Sequence, residues 1–483
     1  MSSKNKVDNT FRLIQYGEDD EVTGSCMGLS VGGINILLDF GLIQNDLLPI
    51  EKRYKLNKNK LNIPLHTYDY CILSHENYDH ISALPFLAQE DTGFNGKIIT
   101  TELASELMAH ILRDGVKIMY SEVLSHNKNT GGNLKTLYSK EDVENVISMT
   151  RGYSYNQKIQ LNDFVSVELL PSGHIAGACL IYITYKDEYK EKHFMYCPDM
   201  YYGDIPRPFT KQITRKCYKA SMVVLEGTYS NKPPHPKELP IDFIEKAIID
   251  VCVNKNEILW IPCFSLQRST QICYLLNEIY KRNYEIRSKN IPIYSCGKLT
   301  SLCHKTIGED KYEEFFDEQW NKDREIFDDS IIKSLVDKMD VEQFVLNNNC
   351  KIVLSSSGAI TNGYSSMIGD SFIPNKKVHI LGCGYIFPES TLDKISRGDK
   401  KVIHNGINKT VRCRFNGVIP NLSGHVDEIN NIKWIKSFNQ RVLKCVAITH
   451  CTDEGGTHLE QELIKELPDK CIKYMRNGDV IKC

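Results

Sequence analysis

The chain has 483 residues, 41% hydrophobic and 25% charged, with a formal net charge of -2, which suits about two or three folded domains with large cores. Near-neutral charge excludes binding to nucleic acid by bulk electrostatics, so any such role has to rest on a specific site. An N-terminus without an apolar core, no run approaching the ~18 apolar residues of a membrane span, and 17 cysteines without CxxC pairing predict an intracellular protein, cytoplasmic or nuclear, with buried thiols and no membrane partner.

Residues 11 to 41 predict short strands, closing on the run Ile34-Asn35-Ile36-Leu37-Leu38-Asp39. The β-prone run Tyr68 to Leu73 predicts a strand that delivers Ser74-His75-Glu76-Asn77-Tyr78-Asp79-His80 into a loop, and Ile81 to Leu87 reads as the first turns of a helix. Strand patterns at Val165 to Leu170, Cys179 to Thr184 and Ser221 to Leu225 alternate with helical stretches such as Glu102 to Leu112. A second alternating set follows: helix from Ile241 to Val253, strand from Glu257 to Pro262, helix from Ser269 to Arg282, and strands at Ile291 to Tyr294 and Lys351 to Leu354. The charged stretch 306–345 reads as helical, with Trp320 as a packing point, and strands return at Val411 to Phe415 and Val442 to Ile448. Alternation of this kind predicts an α/β fold.

Two histidines and one aspartate in a strand-to-helix turn serve equally well as zinc ligands, caps or satisfied core groups. The wider pattern tips that balance. Asp39, His174, Asp199 and His450 each follow an apolar strand, where α/β folds place their sites, and imidazole and carboxylate are donors that zinc accepts. This many donors exceeds the needs of one four-ligand site, so two metals are expected.

At this point the chain resembles the metallo-β-lactamase superfamily, and within it the β-CASP RNA nucleases of the cleavage and polyadenylation or Integrator endonuclease type and their prokaryotic relatives. The H-x-H-x-D-H motif is matched by His75, Asn77, Asp79 and His80, with Asp39, His174 and Asp199 at the other metal motifs. Leu225-Glu226-Gly227-Thr228-Tyr229-Ser230, Leu422-Ser423-Gly424-His425-Val426-Asp427 and Ile448-Thr449-His450 are similar to the three β-CASP motifs. Ile261 to Gln271 and Ser355 to Gly363 resemble two further family elements.

The resemblance implies a four-layer αββα metallo-β-lactamase domain with an inserted α/β β-CASP domain, divided as 1–225, 226–405 and 406–483. It implies an endoribonuclease that cleaves single-stranded RNA by attack of a metal-bound hydroxide, with two zinc ions about 3.5 to 4 Å apart. One metal would be held by His75, Asn77, His174 and Asp199, the other by Asp79, His80, Asp199 and His450. His425 paired with Glu226 would protonate the leaving oxygen, and Asp39 would orient a ligand. Arg268, Ser356, Ser357, Gly358 and Gly363 are expected to bind RNA phosphates, and Arg207 to supply a basic group. A β-CASP paralogue or a second copy is the expected protein partner.

Asn77 stands where the family motif has a zinc-binding histidine. A carboxamide oxygen is a poor zinc donor, so the sequence leaves open two metals with a weakened first position that tolerates manganese, a single metal, or an impaired paralogue acting as an RNA-binding or scaffold subunit. It equally leaves open a His to Asn change introduced into the chain.

Overall fold

The computed structural model describes residues 11–17, 22–45, 48–186, 190–203, 210–213, 218–318 and 331–482; Arg207 and Trp320 lie outside them. The chain divides into two compact units. The first comprises residues 1–234, 312–317 and 424–483, and the second comprises 235–311 and 318–423. These divisions fall a few residues beyond 225/226 and well beyond 405/406, because Arg414–Val418 pairs in the second unit's sheet and the Asn421 side chain bonds the Glu238 carbonyl at 2.8 Å.

The first unit holds two seven-stranded sheets. In one, Val480–Lys482, Arg12–Gln15, Met27–Val31 and Ile34–Leu38 are antiparallel neighbours, continued in parallel by Tyr70–Ile72, Lys97–Thr101 and Thr150–Tyr153. In the other, Cys471–Tyr474, Cys445–Thr449, Met222–Glu226 and Glu191–Cys197 run parallel, continued antiparallel by Cys179–Lys186, Val165–Pro171 and Ile159–Gln160. Phe11 joins the sheets by packing on Tyr185 and Phe194.

Strands such as Val165–Pro171, Met222–Glu226 and Cys445–Thr449 are buried along their whole length, which is why they read as continuous apolar runs. The helices Glu428–Lys436 and Asp453–Glu466 cover the second sheet, seating Trp434, Ile435, Leu459 and Leu463 against Met195, Val223 and Val446. Each such side chain, fully buried, contributes about 1.5 to 3 kcal/mol.

The helix expected to end near Leu112 runs as Glu102–Thr130; the Thr101 hydroxyl caps its start by accepting from the Ala104 amide, and Gly131 ends it at φ 69°. Another expectation needs correction. Helix begins at Tyr78–Ile81, not Ile81, and breaks before the separate turn Leu84–Ala88, because the Ala83 amide bonds the Phe40 carbonyl and Pro85 cannot extend the ladder. Asp79 and His80 therefore sit on the helix itself.

The second unit is built on a six-stranded parallel sheet in the order Ile332–Leu335, Ile293–Cys296, Lys351–Ser355, Ile258–Pro262, Val378–Gly382 and Arg414–Val418. Helices Pro240–Ile248, Arg268–Arg282 and Gly363–Phe372 belong to it. Within the expected helical stretch 306–345, Ile332–Leu335 is an edge strand: pairing with Ile293–Cys296 overrides its local preference.

Candidate metal centre

Register decides which residues meet. In the first sheet Leu38 lies beside Ile72; in the second, Cys197 lies beside Leu225 and Glu226 beside Thr449. Asp39, Ser74 to His80, Asp199, Glu226 and His450 thus close or directly follow neighbouring strands at their C-terminal ends, while His174 follows Val165–Pro171 in the loop before Cys179–Lys186.

The side chains converge in three overlapping groups: His75, His174 and Asp199; Asp79, His80 and His450; and Asp199, His425 and His450. In each, one ligand atom per residue lies within 4.8 Å of the others. Asp199 is the pivot. Its Oδ2 is 3.4 Å from both His75 Nε2 and His174 Nε2, while its Oδ1 is 3.3 Å from His450 Nδ1 and 3.6 Å from His80 Nε2. Asp79 Oδ2 closes the second group, 3.4 Å from His450 Nε2 and 3.6 Å from His80 Nε2. His75 Nε2 and Asp199 Oδ1 are buried without a hydrogen-bond partner. Two such atoms in one polar cluster fit divalent cations, whose bonds would satisfy them.

The opposite edge of each imidazole is anchored. Asp39 accepts from His80 Nδ1 at 2.9 Å, from the Ser74 amide and hydroxyl at 2.7 Å each, and from the Tyr196 hydroxyl at 3.1 Å. Since the Ser74 hydroxyl donates to Asp39, it accepts from His75 Nδ1, 2.9 Å away. His174 Nδ1 donates to the Gly424 carbonyl at 2.9 Å. The Thr228 hydroxyl donates to the His450 carbonyl at 3.1 Å and accepts from His450 Nδ1 at 2.9 Å. His75, His80 and His174 therefore hold a proton on Nδ1 and turn Nε2 to the centre, while His450 turns Nε2 to Asp79 and its Nδ1 lies between Thr228 and Asp199. Burial works against the charged His80 ring, but the Asp79, Asp199 and Asp39 carboxylates outweigh it and raise its pKa to about 9, a proton that a cation would displace. Asp39 and His450 adopt φ values of 56° and 54°, a backbone region non-glycine residues seldom occupy outside constrained sites.

Electrostatics follow the same division. Burial, aided by the neighbouring imidazoles, holds the His75 pKa well below its ordinary value, so the ring is a neutral donor. Burial raises Asp199 to about 6 against the pull of His450, His425 and His80. For His425, burial opposes protonation, but the Glu226 and Asp199 carboxylates outweigh it and raise its pKa. That ring bonds Glu226 Oε2 through Nδ1 at 2.9 Å and points Nε2 toward Asp199 Oδ2 at 3.9 Å. Glu226 is fully buried and held by the Met200 amide, which donates to Oε1 at 2.7 Å.

Asn77 lies at the edge of the first group, its Nδ2 3.2 Å from His174 Nε2. A half-turn of the carboxamide brings Oδ1 to the same position. Arg268, Ser356, Ser357, Gly358 and Gly363 belong to the second unit, where Pro262 and Ser355 are register partners. Arg268 opens its helix with Nη1 bonded to Gln271 Oε1 at 2.7 Å; Gly363 opens another at φ 62°, where a Cβ would stand 2.9 Å from the Ser356 carbonyl oxygen. Sequence reasoning passed over the anchoring roles of Ser74, Thr228 and Tyr196. Ser74 directly precedes His75, the one local clue.

A metallo-beta-lactamase superfamily domain matches residues 28–202, and a Beta-Casp domain matches residues 270–395. The chain thus carries a metallo-β-lactamase superfamily domain and a Beta-Casp domain. Among similar proteins, the Probable RNase MJ4 of Methanocaldococcus jannaschii is 27% identical over 77% of this chain and 78% of its own length. Endoribonuclease YSH1 of Candida glabrata is 24% identical over 89% of the chain, and the Integrator complex subunit 11 homolog of Dictyostelium discoideum 23% over 98%. The chain spans about half the length of the YSH1 relatives, 54% for that of Candida glabrata, and 61% of the Dictyostelium protein. A crystal structure of an Enterococcus faecalis protein of unknown function shares the fold at TM-score 0.57 and 12% identity, covering 98% of this chain and all of that one.

Among the described residues no helix is long and apolar enough to cross a membrane, and no disulfide joins the cysteines.

Proposed function

We propose that the chain is a metal-dependent endoribonuclease acting on single-stranded RNA. The Asp199 carboxylate carries the reading: it divides its two oxygens between the His75 and His174 pair and the His80 and His450 pair, as a ligand shared by two cations would. His75, Asn77, His174 and Asp199 would hold one cation, and Asp79, His80, Asp199 and His450 the other. Zinc suits the nitrogen and carboxylate donors; the carboxamide of Asn77 makes the first position the weaker one and the better place for manganese. When bound, the cations supply Lewis acidity, acidifying water and neutralising charge on the phosphate.

The chain's own groups do the rest. His425 is held by Glu226 through Nδ1, which turns Nε2 to pass a proton to the departing oxygen, and the nearby carboxylates favour the protonated ring by raising its pKa. Asp39 fixes the tautomers of His80 and, through Ser74, of His75. Arg268, Ser356, Ser357, Gly358 and Gly363 are proposed to hold RNA phosphates, and a β-CASP paralogue or second copy to be the protein partner, in keeping with a relative named as a complex subunit.

Metal analysis and cleavage of end-labelled single-stranded RNA test the reading together. Two metals at saturation, internal cuts abolished by chelator, and strong loss of cutting in His425→Ala are expected. Asn77→His should tighten zinc at the weaker position by about 10-fold or more. A chain that binds no metal, or that cuts equally well in chelator, refutes the proposal.

A further inference from the structure

Three aromatic side chains stand exposed where loops leave the parallel sheet of the second unit. Phe264 follows Ile258–Pro262, and Tyr385 and Phe387 follow Val378–Gly382. Their fractional exposures are 38%, 58% and 43%. They nevertheless pack on one another edge to face: Phe387 lies 6.1 Å from Phe264 at 78° and 5.1 Å from Tyr385 at 83°. Near-perpendicular rings in contact by their edges turn their flat faces at different angles, with 38 to 58% of each residue left in solvent.

The surroundings say what such a surface meets. A Cβ on Gly384, the residue before Tyr385, would lie 3.9 Å from Arg268 Nε, and one on Gly358 would lie 3.6 Å from the Phe264 ring. The Arg268 side chain thus lies beside the backbone that leads into Tyr385, and the small-residue loop after Lys351–Ser355 lies beside the Phe264 ring. The acidic neighbour Glu389 is turned away into ion pairs with Arg397 at 3.1 Å and Lys394 at 3.5 Å. Flat apolar faces beside a cation match a ligand that alternates planar rings with negative charges. Unpaired nucleotides have that alternation, whereas a duplex keeps its base faces stacked inside.

We infer that Phe264, Tyr385 and Phe387 form a base-stacking platform for single-stranded RNA, with Arg268 and the Gly358 loop beside it taking the adjoining phosphate. This goes beyond the metal centre and rests on the proposed RNA substrate for its choice of nucleic acid. Stacking of this kind tolerates any base, so the platform confers affinity with little sequence preference.

The test is binding of a fluorescent oligouridylate to the full chain in chelator, so that neither metal nor cleavage enters the measurement. Tyr385→Ala and Phe387→Ala should each weaken binding about 5- to 100-fold. Tyr385→Phe should bind like the parent while Tyr385→Leu should not, which separates stacking from apolar area alone. A base-free ribose phosphate oligomer should bind the parent and the alanine variants equally. No binding by the parent, alanine variants that bind as the parent does, or a leucine variant equal to the phenylalanine one would each overturn the inference. None of these outcomes bears on whether the metal centre cuts RNA, which the cleavage assay decides separately.

Discussion

Asp39→Asn is the most demanding perturbation of the centre, because it changes one atom without changing volume. Asp39 accepts four hydrogen bonds, and three of them, from the Ser74 hydroxyl, His80 Nδ1 and the Tyr196 hydroxyl, converge on Oδ2. The fourth, from the Ser74 amide, falls on Oδ1. A carboxamide offers one acceptor oxygen and one donor NH2. With its oxygen toward the Ser74 amide, the NH2 faces three donors. The two hydroxyls can rotate to accept, but His80 can accept only by moving its proton to Nε2, the atom that faces Asp79 and Asp199. The variant must either leave a buried donor unsatisfied, at about 1 to 3 kcal/mol, or block a metal donor. With the charge-assisted character of the remaining bonds also lost, a fall of about 3 kcal/mol in stability and a 10- to 100-fold loss of metal affinity are expected. Urea unfolding in chelator reads the first and competition with a chromogenic chelator reads the second. A variant that unfolds at the parental midpoint and holds zinc within about twofold of the parent would refute the tautomer argument.

Thr228→Val removes the acceptor of His450 Nδ1 while keeping shape, and should weaken the position closed by Asp79 and His80 about 10-fold, with Thr228→Ser restoring it; metal competition checks both. Gly41→Ala would set a Cβ 1.5 Å from the Asp79 carbonyl oxygen, so the backbone that carries Asp79 and His80 must move, and a loss above about 3 kcal/mol, read as a lowered melting temperature, is expected. In the second unit, burial pushes His304 down to about 3, its Nε2 2.9 Å from the Ser269 hydroxyl. As the pH falls below about 6.5 the unfolded chain takes up this proton and the folded one does not, so the contribution is complete above that value and is lost progressively toward about 3. Between about pH 7 and pH 4.5 the parent should lose about 2 to 3 kcal/mol more stability than His304→Gln, measured by denaturation at each pH; parallel curves would contradict the assignment.

The candidate donors Asp39, His174, Asp199 and His450 were legible because each follows an apolar strand, and strands buried on both faces are the easiest elements to recognise. The helix bearing Asp79 and His80 was harder. Tyr78–Ile81 is only one turn, and it ends where the Ala83 amide turns to the Phe40 carbonyl, a tertiary bond that no local pattern announces. The same holds for Thr228, whose tie to His450 spans 222 positions of sequence. At Ile332–Leu335 a charged stretch was read as helix, yet an edge position beside Ile293–Cys296 needs only one buried residue in the strand, Ile332. The reach of Glu102–Thr130 was missed for a related reason: buried positions thin out beyond Met119, so the apolar pattern fades before Gly131 ends the helix.

Asn77 is also explained by where the anchors lie. His75 is held through Ser74, His80 by Asp39, His174 by the Gly424 carbonyl and His450 by Thr228. These anchors are Asp39, Ser74, Thr228 and the Gly424 carbonyl, and none of them is residue 77. The imidazoles therefore keep their Nε2 atoms aimed at the centre whatever side chain stands there, and the buried Asp199 still joins the two groups. A substitution at residue 77 changes a donor and leaves its neighbours in place, so its expected effect is confined to the affinity and metal preference of one position.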